Sequence, residues 1–166
     1  MAEYKPSDYE FPELYVKNRS SAKYINVDLT SRTYTISMDP RGPLVLGLTV
    51  YEEGASIHDL DALKTRGTYA VLLPGKHEAI LVEESVGFHA IEVRGVQVNF
   101  VAREGDYVRE GSVLSYVLTG KGETRTIRST VSGIVTYILW FRDEPGQRYA
   151  YIIVDVDSIV RLRRSE

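Results

Sequence analysis

Lys121 stands at the centre of "TGKGET", between Gly120 and Gly122, with "VLSYVL" before it and "TRTIRSTV" after it. Both flanks alternate like strands, so the lysine falls at a hairpin tip. A primary amine there projects into solvent, where it can be acylated to carry a cofactor or can contact a partner directly. Arg125 and Arg128 follow with only Glu123 to offset them, so the tip is locally basic, and its glycine amides add donors for an anion. The two arginines have opposite strand parity and do not form one phosphate clamp. The same residues also suit a plain solvated tip, with glycine for the turn and lysine for solubility.

Other reactive side chains form no constellation. His58, His77 and His89 fall in different segments, and none has a second histidine at metal-ligand spacing, so no metal is expected. His58 with Asp59 and Asp61 comes nearest to a cluster, but residues one and three apart on a helix do not share a face. Cysteine is absent, which removes thiolate catalysis, disulfides and cysteine metal sites together. There is no G-x-S-x-G elbow, and Ser132 before Gly133 reads as a strand start. "TGKGET" lacks the Ser or Thr after lysine, and the following helix, that a phosphate loop needs. The expectation is a protein without enzymatic activity.

The chain of 166 residues carries 20 Lys+Arg against 23 Asp+Glu, with a pI near 5.7. A nucleic-acid role would therefore need a local basic patch. No apolar run reaches membrane-spanning length and "MAEYKPSDYE" lacks a signal-peptide core, so a cytoplasmic protein is expected. Two Gln, three Asn, two Met and no Cys make thermolabile residues scarce, as in proteins of hot-living organisms.

The elements that must position these residues are mostly strands. Residues 1–22, with "KPSDYEFPELY", read as an extended arm. Residues 23–86 read as a small β lobe: "KYINVDL", "RTYTISM", "LVLGLTVYEE", "TYAVLLPG" and "HEAILVEES" suit strands. "SIHDLDALKTRG" suits one short helix, with Ser56 as N-cap, Ile57, Leu60 and Leu63 on one face and Gly67 at its end. Residues 87–160 are almost all strand, with Val96, Val98 and Phe100 on one side of the first and Gln97 and Asn99 on the other. Residues 161–166 read as a solvated basic tail.

In "REGDYVREGSVL", Gly105 with Asp106 is a turn pair requiring positive φ at the glycine. Val108 is an isolated apolar plug, and Gly111 lets the chain bend into the next strand. The spacing G-D-x-V-x-x-G-x-x-L, the hairpin with its lysine, and "IRSTVSGIV" with Gly133 resemble the biotinyl/lipoyl carrier-domain family over residues 95–135. The closest resemblance is to an archaeal family of unknown function that places such a domain behind a small N-terminal β lobe. The resemblance implies a barrel-sandwich hybrid of two related halves, one beginning at Gly95 and one at Gly133. It also implies biotin or lipoate on Lys121, which is the seventh residue after Leu114 as in biotinyl domains. Two departures stand against this: "FRDEPGQRY" replaces the second G-D-x-V-x-x-G, and Lys121 lacks the methionine or aspartate neighbours of those families.

The sequence therefore predicts an all-β protein of two lobes, a small N-terminal β lobe and a C-terminal biotinyl/lipoyl-like barrel. The expected function is non-enzymatic binding or adaptor work on an unidentified protein partner, through Lys121, Arg125 and Arg128 and without a cofactor. A carrier modified on Lys121, and a basic hairpin docking on RNA or a ribonucleoprotein, are the alternatives.

Overall fold

The computed structural model describes residues 11–75, 77–142 and 145–165. It is all-β, with sixteen strands and two short 3-10 turns, Tyr51–Ile57 and Val156–Ser158, among the described residues. A closed seven-stranded barrel has the order β1 (Glu13–Lys17), β4 (Leu44–Thr49), β2 (Tyr24–Asp28), β3 (Thr33–Ser37), β16 (Val160–Arg164), β8 (Glu78–Val82), β7 (Tyr69–Leu72). Two open sheets face each other beside it. One is β10 (Gln97–Phe100), β12 (Val113–Leu118) and β13 (Thr124–Arg128); the other is β11 (Tyr107–Val108), β14 (Gly133–Trp140), β15 (Gln147–Val154) and β9 (His89–Gly95).

Strand alternation sorts the apolar residues into three cores. Tyr15, Ala70, Ala79, Leu81 and Leu162 fill the barrel. Their strand neighbours Leu14, Val71 and Ile80 point outward and meet Ile134, Tyr137, Leu139 and Ile152 of the four-stranded sheet. The other face of that sheet, with Val135, Ile138, Tyr151 and Ile153, packs on Val98, Leu114 and Val117. Strands β14 and β15 of the four-stranded sheet thus form a middle layer buried on both faces, which is why "GIVTYIL" is, past its glycine, apolar or aromatic apart from Thr136. A register shift between Val135 and Tyr137 keeps both faces filled.

The two open sheets are related by chain order. Divided at the β12–β13 hairpin rather than at Gly133, the chain gives two halves: β10 pairs β12, which pairs β13 of the following half, and β14 pairs β15, which pairs β9 of the preceding half. The strands after Gly95 and Gly133 therefore hold corresponding places, and no helix interrupts residues 96–135. The first half crosses over through β11, which pairs β14. In the second, the side-chain oxygen of Gln147 accepts the Val98 amide proton at 2.7 Å where a strand would otherwise pair.

Four expectations are corrected. Part of the arm expected over 1–22 is barrel strand β1, with Leu14 and Tyr15 fully buried; residues 1–10 lie outside the described residues. No helix spans 56–67. Asp59 accepts the backbone N–H groups of Asp61 and Ala62, both at 3.0 Å, and this turn competes with a helix. The chain instead forms a small ladder, β5 (His58–Asp59) with β6 (Lys64–Thr65), and Leu60 and Leu63 stay 37% and 43% exposed. The tail expected to be solvated is β16, antiparallel to β8 and parallel to β3. Its arginines line the outer wall while Leu162 points inward. Finally, Val96 does not share a buried face with Val98: it lies at the break between β9 and β10 and is exposed.

Candidate functional site

The expected turns are built as their residue types require. Gly105 has φ +93° and Gly111 φ +93°. Gly105 N–H donates to the Val135 carbonyl at 2.7 Å, and Asp106 Oδ2 accepts the Arg103 N–H at 2.8 Å. Val108 is buried, as a plug should be. A Cβ on Gly105 would stand 2.7 Å from Leu73 Cδ1, so this turn also seats the sheets against the barrel. Gly105→Val should cost about 2 kcal/mol through backbone strain and crowding of Leu73. An unchanged denaturant midpoint would show that the turn tolerates a side chain. Gly133 allows a different approach: a Cβ there would lie 2.6 Å from the Val154 carbonyl oxygen.

Lys121 is exposed at the β12–β13 tip, as expected. The tip is closed by Gly122 N–H to the Thr119 carbonyl at 3.0 Å and Thr119 N–H to the Glu123 carbonyl at 2.8 Å. Lys121, Arg125 and Arg128 do not converge. Arg125 stands 3.9 Å from Glu123, while Arg128 donates to the Gly111 carbonyl at 3.0 Å and serves its own loop.

Sequence reasoning missed an open cleft of about 880 Å³ at the seam between barrel and sheets. One wall is aromatic. Trp140 and Tyr149 are paired across β14 and β15, with ring centroids 6.5 Å apart and planes 22° apart. Phe100 meets Tyr149 edge-on at 4.8 Å. Arg103 lies over Phe100 at 5.3 Å and Arg142 over Trp140 at 5.1 Å. The floor is Tyr51 of the first 3-10 turn, stacked on Tyr137 at 4.5 Å. Only Trp140, an exposed aromatic ending an otherwise buried strand, was a sequence signal; the other walls come from distant segments.

Beneath the cleft runs a buried polar network. Glu104, its side chain only 4% exposed, accepts from Tyr51 Oη at 2.5 Å and from Arg103 Nε at 3.2 Å. Tyr51 Oη in turn accepts the Ile138 N–H at 3.0 Å, and Tyr137 Oη donates to the Tyr51 carbonyl. Burial, then the Glu104 charge, hold the Tyr51 phenol well above its usual range. His58 stacks on Tyr137 at 5.0 Å. Its Nδ1 lies 2.7 Å from the Gly54 carbonyl, so that nitrogen carries the proton, and its Nε2 is 3.0 Å from Tyr69 Oη. Burial pushes the imidazole down to about 4, so it is neutral near pH 7. Each acid or base here is engaged internally, and no cluster of three metal-ligating side chains occurs among the described residues.

A family model described as an uncharacterized protein conserved in archaea (DUF2118) matches residues 9–156. The chain belongs to that family. No curated protein matches it. The part matched by this archaeal family runs from the first barrel strand through β15, and so includes every residue of the cleft named above. No helix among the described residues is long and apolar enough to cross a membrane.

Proposed function

We propose that this archaeal protein is a non-catalytic binding protein whose ligand enters the seam cleft. The observation that carries this reading is the division of labour around the cleft. Glu104, Tyr51, His58 and Tyr69 are spent on one another below it, while aromatic faces and guanidinium groups are open within it. Such a site can hold a ligand by stacking and charge, while the acid–base groups beneath it are already engaged with one another. Trp140, the only tryptophan, reports on the cleft directly. A panel of small ring compounds of both charges should contain members that quench its fluorescence saturably and raise the melting temperature together. A panel that moves neither would refute the reading.

A second reading has support from the paired sheets and the lysine at the hairpin joining their halves. This pairing resembles the arrangement that the likeness to biotinyl/lipoyl-like domains implies, and on that reading Lys121 would be the carrier or a docking residue. Its glycine neighbours favour docking by an unmodified lysine. Lys121→Glu should change stability by less than about 0.5 kcal/mol, because the side chain is exposed, yet weaken capture of a hairpin-docking partner. Intact mass of the protein from its own source decides between the two roles, since a biotinyl or lipoyl adduct on Lys121 would establish the carrier.

A further inference from the structure

The positive charge left over in the cleft lies on its aromatic wall, and that coincidence points to a ligand class. Of the three carboxylates lining the cleft, Glu53 is held by Arg19 at 2.8 Å and Thr49 at 2.7 Å, and Glu104 by Tyr51 and Arg103 Nε. Among the described residues, Arg142 has no carboxylate partner and Arg103 pairs with a carboxylate through Nε alone. Both guanidinium groups lie over rings, Arg103 at the Phe100 end of the row and Arg142 at the Trp140 end. An arginine laid on a ring directs its fork of donors outward along the ring plane, where it can meet an anion attached to a stacked ligand. The third carboxylate, Glu52, belongs instead to the first 3-10 turn.

Resting on the reading of the cleft as a binding site, we propose that it takes a planar aromatic anion of mononucleotide size, its ring on Trp140 and Tyr149 and its anionic group on Arg142. A volume of about 880 Å³ holds such a molecule. A nucleic-acid strand fits less well, because strand binding needs a track of cations along the backbone. Here two arginines serve a chain of formal charge −3.

The test uses the full chain and Trp140 fluorescence. AMP and GMP should quench saturably, adenosine and guanosine should bind about tenfold more weakly for want of one charge-assisted contact, and inorganic phosphate alone should not quench. Arg142→Gln should reduce AMP affinity to that of adenosine and leave the melting temperature unchanged. Equal binding of AMP and adenosine, with no effect of Arg142→Gln, would overturn the charge assignment while leaving the cleft a ring-binding site. A short oligoadenylate binding much more tightly than AMP would also overturn it, in favour of a strand. Quenching by none of the ring compounds, charged or neutral, would remove the cleft reading itself.

Discussion

A chain ending at Ser158 should yield no folded protein. The missing β16 contributes the fully buried Leu162 and is paired over Val160↔Leu81 to Arg163↔Glu78 on one side and Arg163↔Thr33 and Arg164↔Tyr34 on the other. Its removal opens the barrel, leaves unpaired edges on β3 and β8, and uncovers a core of Tyr34, Ala79 and Leu81. Domain stabilities are only about 5–15 kcal/mol, and loss of a whole barrel strand exceeds that margin. Leu162→Ala keeps the strand and isolates its core contact, at a cost of about 3 kcal/mol. Soluble expression with native circular dichroism reads the first, and a urea midpoint the second. A truncated chain that folds normally would show that β16 is dispensable trim.

The second large effect is a loss of stability in mild acid carried by His58. In the folded protein its proton affinity is pushed down to about 4, first by burial, whereas in the unfolded chain it is ordinary at about 6.5. As pH falls from about 6.5 to about 4 the unfolded state gains a proton that the folded state refuses, so stability is full above that window and falls through it by about 3 kcal/mol. The refusal has a geometric cause: rings of Tyr69, Phe88 and Tyr137 surround the imidazole at 5.1, 5.3 and 5.0 Å. His58→Gln is less stable near neutrality but lacks this titration. The advantage of the wild type over the variant should therefore shrink steadily between those pH values, as carboxylates titrating there cancel in the difference. A constant difference would mean that His58 charges within the fold.

Legibility followed how many neighbours decide a residue's environment. Strands β2, β3, β7 and β8 and the run from β12 to β15 were readable because alternation and glycine turns act locally. Gly105 was readable for the same reason, as a glycine before aspartate prepares positive φ whatever lies around it. β16 was not, since arginines on both sides of Leu162 describe a barrel's outer wall and a solvated tail equally well. Ile57, Leu60 and Leu63 imitated a helix face, and only the Asp59 turn and the ladder to Lys64–Thr65 decide against it. The cleft was least accessible, because Tyr51, Phe100, Arg103, Trp140 and Tyr149 acquire a common wall only when barrel and sheets are docked.

The parallel pairing of β16 with β3 bears on how the protein is made. A ribosome releases β1 to β8 first, but those strands cannot close on themselves, because the gap between β3 and β8 is filled by residues 160–164. The two facing sheets draw no strand from beyond residue 154, but the face formed by Ile134, Tyr137, Leu139 and Ile152 is covered only when the barrel wall is in place, so they too wait for the closing strand. Until then β3 and β8 present open edges, the state in which a growing chain is most prone to mispair and most in need of a chaperone. The lobe synthesised first is the lobe completed last, and the span from β3 to β16 makes that final step a slow, long-range closure.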